Sequence, residues 1–315
     1  MSKAVLFVTG LGEDLNRAEN MKCLYDAYQG EKRFICLSDR WNYEGCINSG
    51  KYCLIIIDVF PEEHPLPTIL IWHSIQGAKL IGLDEGRYYK PEQAEFIDWI
   101  ITAGFGGSEL MSRCTGVPIE KTLDFGMPRT DRYFNRKRKQ KSAEIRKYLY
   151  APTFRHFYET PLPCIDWKWL DEQLTDDEML VVKSHPYGWS HDLSGYRHII
   201  EVNRMETSVN CLFEANVVIT DYSSIMFDAY LLKKPVVLFE KNPGYCKTRG
   251  MYLDYPSGYC SRYATNEQEL LEHLRSSKRL RTAEKNCINY LADACDGHSC
   301  ERVCEFIKEM LNNGT

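Results

Sequence analysis

Apolar, β-branched runs recur along the chain between segments of helical pattern. They are Ala4 to Thr9, Arg33 to Leu37, Tyr52 to Val59, Thr68 to Trp72, Trp99 to Ala103, Leu149 to Pro152, Met179 to Lys183, Val217 to Thr220 and Pro235 to Phe239. Short continuous apolar runs separated by helix-length stretches predict strands buried on both faces, hence parallel sheets covered by helices: an α/β protein. The segment Arg132 to Lys147, a basic stretch running into a helical pattern, interrupts the alternation. It is the natural boundary between an N-terminal α/β domain over 1–140 and a C-terminal one over 141–315. A last helix is predicted from Ser299 to Leu311, and the sequence leaves open whether it packs back across the boundary.

The clearest single unit runs from Val217 to Phe239, a strand, a polar turn, a mostly apolar helix from Ile225 to Leu232, and a second strand. Asp221, Tyr222, Ser223 and Ser224 therefore stand at a strand's carboxyl end, where open parallel sheets bind ligands and a helix start offers N–H groups to an anion. Two readings stay open for the serines: a phosphate cradle, or an N-cap. Neither serine has Glu or Gln three residues later, so a capping box does not account for both.

Composition narrows the classes. With 315 residues, 44% hydrophobic and 12% aromatic, the chain is long and apolar enough for two cores. A net charge of −5 argues against nucleic acid as the main partner. No run approaches the roughly 20 apolar residues that span a bilayer, and the N-terminus lacks a signal peptide's pattern, so a cytoplasmic protein is expected. Thirteen scattered cysteines then read as reduced thiols. Cys287, Cys295, Cys300 and Cys304 lie near His298 but contain no C-x-x-C pair, while Cys300, Val303, Cys304, Ile307, Met310 and Leu311 share one helical face, which favours core thiols over metal ligands.

The basic stretch reads either as a solvated linker face or as a peripheral contact with an anionic membrane, where each Lys or Arg near the surface contributes about 1 kcal/mol.

Other strand ends carry polar groups too. Trp72 leads into His73 and Ser74; Tyr150 to Arg155 brings Thr153 and Arg155; Lys183 and Ser184 lead into His185; Arg249 follows the strand Pro235 to Phe239. The carboxyl ends of parallel strands share one edge, so such loops converge. There is no Walker motif, Gly10-Leu11-Gly12 lacks the third glycine of a dinucleotide fingerprint, and no G-x-S-x-G elbow is present. Ser, Thr and Arg beside histidines fit the transfer of a phosphorylated group.

Several motifs, in order, carry a resemblance: Trp72-His73, Gly126-Met127-Pro128-Arg129-Thr130-Asp131, Tyr150 to Arg155, His185-Pro186, Thr220 to Asp228, Lys234-Pro235, Tyr245, and Arg249-Gly250 with Tyr252 and Asp254. From about residue 5 to 255, most strongly from 68, the chain resembles the CDP-glycerol glycerophosphotransferases of teichoic acid and related polymer synthesis. The resemblance implies a GT-B-like architecture, two Rossmann-like domains with parallel sheets facing a central cleft, the donor on the C-terminal domain and the acceptor toward the N-terminal one. It implies a transferase moving an alditol phosphate, normally glycerol phosphate, from CDP-glycerol or CDP-ribitol to a hydroxyl of a glycan or lipid-linked acceptor, with release of CMP.

By the same resemblance His73 is the general base and His185 contacts the donor diphosphate or assists the leaving group. Histidine suits either task, with an unperturbed pKa of about 6.5 and a typical contribution of about 10² to 10⁴-fold. Thr153, Arg155, Asp221, Ser223, Ser224, Asp228 and Arg249 are the expected donor and phosphate-binding set. Arg129, Asp131 and Ser74 are acceptor-side or structural, the Gly126 to Asp131 motif reading equally well as a braced turn. No acidic pair typical of a Mg²⁺-diphosphate site is evident, so neither metal nor cofactor is expected. Two departures stand out. Ser74 replaces the family's usual glycine after the histidine, which points to a different acceptor, and no N-terminal extension precedes the first strand, which favours a short primer-type or glycan-modifying transferase over a processive polymerase. The expected location is cytoplasmic, and the second reading of the basic stretch would add a peripheral place on the inner face of the cell membrane. The runner-up is a GT-B glycosyltransferase using a nucleotide sugar.

Overall fold

The structure is a computed structural model; it describes residues 4–10, 18–86, 89–135, 145–153, 165–185, 191–203, 206–241 and 250–313. The chain forms two compact units, 1–136 with 289–315, and 137–288.

In the first unit the elements are β1 (Ala4–Thr9), α1 (Glu19–Ala27), β2 (Lys32–Cys36), α2 (Arg40–Asn48), β3 (Tyr52–Ile57), β4 (Thr68–Ile71), β5 (Trp99–Ile101), α3 (Phe105–Thr115), β6 (Thr122–Leu123) and α4 (Asp131–Phe134). The second contains β7 (Arg146–Tyr150), α5 (Trp167–Gln173), β8 (Glu178–Val182), β9 (Ile199–Glu201), α6 (Ser208–Glu214), β10 (Val217–Thr220), α7 (Ile225–Leu231), β11 (Val236–Phe239), β12 (Tyr263–Ala264) and α8 (Glu267–Ser276). Helix α9 (Thr282–Leu291) leads back to the first unit, which α10 (Ser299–Asn313) completes.

Each unit holds a six-stranded sheet, ordered β2-β1-β3-β4-β5-β6 and β12-β11-β10-β7-β8-β9. Every strand pair is parallel. Each of the nine apolar runs overlaps a strand, Leu149 to Pro152 only through the last two residues of β7. The strands β1, β4, β10 and β11 are buried at every position and so on both faces, with Leu6, Val8 and Leu70 in one cluster of the first unit and Val217, Ile219 and Val237 in one of the second. The strands β6, β9 and β12 escape the sequence pattern because two or three residues at a sheet edge present no periodicity to detect.

Residues 289–315 belong with the first unit, which corrects a C-terminal domain running to 315. The reason is a set of polar locks around α10. The Asp131 carboxylate accepts from Ser299 N at 2.9 Å and Cys300 N at 2.8 Å, capping the helix with a negative charge at its N-terminus. Arg302 donates to the carbonyls of Phe125 and Ala294, and Ala294 N donates to Ala103 O. Gly126 allows this approach: its φ is +81°, and a Cβ there would stand 2.3 Å from Ser299 Oγ. Val303 and Ile307 are fully buried and Cys304 nearly so, the core face expected of them, and burial pushes the Cys300 and Cys304 thiols up.

Of the basic stretch, residues 136–144, including most of the helix expected there, lie outside the described residues, and Arg146 and Lys147 already belong to β7. Arg146 donates to the carbonyls of Leu274 and Ser277, and Lys147 pairs with Glu214 at 2.7 Å. Those two cations are engaged within the second unit. Among the described residues no helix is long and apolar enough to cross a membrane.

Candidate active site

The order of the second sheet fixes where a ligand can enter. β7 is the first strand of its unit and lies between β10 and β8, so connections leave it in opposite directions, and the carboxyl ends of β7 and β10 form the switch point at which open parallel sheets bind ligands. Thr153 and Asp221 stand at those two ends. Asp221 Oδ1 accepts from Thr153 N at 2.9 Å, Thr153 Oγ1 at 2.6 Å and its neighbour Tyr222 N at 2.7 Å, while Thr220 Oγ1 donates to Ala151 O at 2.7 Å. The carboxylate therefore ties the two strand ends together. Asp221, expected among the donor and phosphate contacts, stands at this edge with Oδ1 turned to three donors of the chain itself.

Ser223 and Ser224 follow, both half-buried. Ser224 occupies the N-cap position of α7 with helical backbone angles and makes no side-chain capping bond. Ser223 Oγ receives only a long contact, 3.5 Å from Ile225 N. Capping thus makes no use of the Ser224 hydroxyl and engages the Ser223 one only through that long contact. The rest of α7 is packing: Met226, Phe227 and Ala229 are fully buried, and Tyr230 donates to Tyr259 O at 3.0 Å. Asp228, one turn in, is 4% exposed and belongs to this buried face.

His185 reaches the same edge from β8. Tyr150 pairs with Val182, so Thr153 and His185 each lie three residues past that pair. His185 is half-buried; Ser184 before it donates to Glu201. Arg155 and Arg249 lie outside the described residues, so the two guanidiniums expected beside the phosphates receive no structural account.

The first unit presents His73 at the carboxyl end of β4, exposed, its ring 4.6 Å from that of Trp72. The turn beneath it is held by its backbone. Arg129, only 6% exposed, donates through Nη1 to His73 O, so the Gly126 to Asp131 motif divides its labour: Arg129 braces the histidine turn and Asp131 caps α10. Ser74 is half-buried. Among the described residues Lys233 alone of the non-glycines has a positive φ, so this position does not need glycine's left-handed freedom here.

Two features went unread in the sequence. Asp58, at the end of β3, repeats the Asp221 arrangement at the switch point of the first sheet, between β1 and β3: Thr9 Oγ1 donates to Oδ2 at 2.6 Å and Gly10 N to Oδ1 at 2.9 Å. Burial nevertheless pushes its carboxyl up to about 6. An apolar run ending in Asp beside a Thr-ended strand was the available signal. The other feature is Gly104 to Gly107 at the start of α3, which looks like an anion-binding turn. The chain fills it itself: Phe105 N donates to Asp293 Oδ1 at 3.0 Å, and a Cβ on Gly106 would lie 2.6 Å from Tyr290 O. Among the described residues no group of three or more His, Cys, Asp or Glu is arranged to hold a metal, and the described cysteines are free thiols.

Comparisons with known proteins agree on one relationship. The family described as CDP-glycerol:poly(glycerophosphate) glycerophosphotransferase matches residues 53–309. The teichoic acid poly(ribitol-phosphate) polymerase of Bacillus spizizenii is 25% identical over 296 residues, covering 81% of this chain and 46% of the polymerase. The teichoic acid glycerol-phosphate primase of Bacillus subtilis is 23% identical, covering 82% of this chain and 72% of the primase. The chain thus spans about half of the first relative's length and nearly three quarters of the second's. A structure of the wall teichoic acid polymerase TagF superposes with a TM-score of 0.77 at 18% identity over 99% of this chain and 89% of that one. The same fold extends to MnaA of S. aureus in its UDP co-structure, with a TM-score of 0.66 at 16% identity over 98% of this chain and 97% of that one.

Proposed function

The chain belongs to the CDP-glycerol:poly(glycerophosphate) glycerophosphotransferase family, and on that premise we propose that it moves an alditol phosphate from a CDP-linked donor to a hydroxyl of a glycan or lipid-linked acceptor, releasing CMP. CDP-glycerol is the first-choice donor, in keeping with the family and with a TagF structure soaked with CDPG; the relatives' names include both glycerol and ribitol phosphate. The observation that carries the reading is the switch point of the second sheet, where Ser224 presents a hydroxyl that capping does not use and Ser223 one engaged only by a 3.5 Å contact from Ile225 N, beside Thr153 held by Asp221.

In this reading the donor diphosphate binds there, with Arg155 and Arg249 completing its charge. His73 takes the proton from the acceptor hydroxyl as its oxygen attacks the phosphorus bearing the alditol. The bond from that phosphorus to the bridging oxygen breaks, and the electron pair leaves with CMP, a departure His185 assists. The product is a phosphodiester, and catalysis is chiefly positioning and charge stabilisation. A lipid-linked acceptor brings the enzyme to the inner face of the membrane; with Arg146 and Lys147 engaged internally, attraction to anionic lipid falls to Arg132 and the basic residues of 136–144.

Fold alone does not select the donor, since UDP-sugar enzymes share it. Donor-dependent thermal shift does. CDP-glycerol or CDP-ribitol at ~100 times its Kd should add about 2.7 kcal/mol of stability. Stabilisation by a UDP-sugar and by neither CDP-alditol would overturn the proposal in favour of a nucleotide-sugar transferase.

A further inference from the structure

The turn that carries His73 is clamped from a distant part of the chain. Asn20, at the start of α1 and 2% exposed, donates from Nδ2 to Trp72 O at 2.9 Å and accepts at Oδ1 from Arg129 N at 3.0 Å. Arg129 in turn donates to His73 O. Two successive carbonyls that leave the β4 ladder are thus each given a donor, and the two donors are bonded to one another. The amide orientation is fixed by chemistry: Arg129 N can only donate and Trp72 O can only accept, so one of the two placements of the Asn20 carboxamide satisfies both. Aspartate would keep the acceptor but set a carboxylate oxygen against the Trp72 carbonyl; a shorter or apolar residue would leave a buried carbonyl and a buried N–H without partners.

We propose that Asn20 is a positioning residue for the acceptor-side histidine. It fixes the backbone of Trp72, and through Arg129 that of His73, so that the imidazole, tilted against the Trp72 ring, is held in one direction. No substrate contact is assigned to Asn20. The inference rests on the reading of His73 as the base, but its geometric half is testable without turnover.

The experiment uses the full chain in four forms: wild type, Asn20→Asp, His73→Ala, and Ser108→Ala. Ser108→Ala breaks the Ser108, Thr102 and Asp124 cluster elsewhere in the same unit and so reports the effect of lost stability alone. His73 ring signals are assigned in ¹H–¹³C NMR by their absence from His73→Ala, and CMP release is measured with CDP-glycerol at fixed acceptor. Asn20→Asp is expected to shift the His73 ring signals and to lower kcat about tenfold or more, with the donor KM changed less than about twofold. Unmoved ring signals and wild-type kcat in folded Asn20→Asp would overturn the proposal, as would an equal loss of kcat in Ser108→Ala at the same margin below Tm. If His73→Ala turns over like wild type, the base reading fails on its own, and the ring signals still decide whether Asn20 orients the histidine.

Discussion

Asp221 Oδ1 stands 2.6 Å from Thr153 Oγ1 and 2.9 Å from Thr153 N, joining the ends of two adjacent strands at the point where the sheet's connections diverge. Asp221→Ala removes an acceptor from two backbone N–H groups and a hydroxyl. It should cost about 2–3 kcal/mol of stability and weaken CDP-glycerol binding, whereas Asn, which keeps the acceptor oxygen, should restore most of both. Denaturant unfolding with and without CDP-glycerol reads both effects; an alanine variant with wild-type stability would show that the brace is not needed.

Ser224 allows capping and ligand binding to be separated. Because its side chain makes no capping bond, Ser224→Ala should change stability by less than about 0.5 kcal/mol, against the ~1 kcal/mol typical of a lost N-cap. The Ser223→Ala, Ser224→Ala pair should raise the donor KM. A loss of stability with unaltered KM would return both serines to a structural role.

Asp58 makes stability depend on pH with a definite sign. Its folded carboxyl is raised from 3.8 to about 6, so the stability this shift contributes is present below pH 4 and lost as pH rises through about 6. Asp58→Asn is uncharged at every pH and can still bond to Thr9 and Gly10. It should therefore be more stable than wild type at pH 8, by up to about 3 kcal/mol, with the advantage shrinking toward pH 4. Melting curves across that range check this; a variant advantage that grew on acidification would contradict it.

Asp131 caps α10 through two backbone N–H groups at 2.9 and 2.8 Å. Asp131→Ala should destabilise the protein by about 1–2 kcal/mol while leaving CDP-glycerol affinity unchanged. Isothermal titration of the folded variant with CDP-glycerol is the check, and a large drop in affinity would mean the motif acts on the donor.

The sheets were legible because strands such as β3 and β10 are continuous apolar runs, while β12 is two residues long and leaves no pattern. Ser223, Ser224, Thr153 and His185 could be placed at one edge from strand direction alone. What the serines do with their hydroxyls could not, since capping depends on local backbone angles. The direction in which Asp221 points was hidden for a similar reason: it is set by Thr153, 68 residues away. Asn20 carries no local signal, because its partners Trp72 and Arg129 lie 52 and 109 residues away in sequence.

The central claim is that His73 acts on the acceptor while the second unit holds the donor. CMP release and CDP-glycerol binding measured side by side on His73→Ala test it directly. The account predicts turnover reduced by about 10² to 10⁴-fold with donor affinity within about twofold of wild type. Undiminished CMP release, or donor affinity lost along with it, would contradict the assignment.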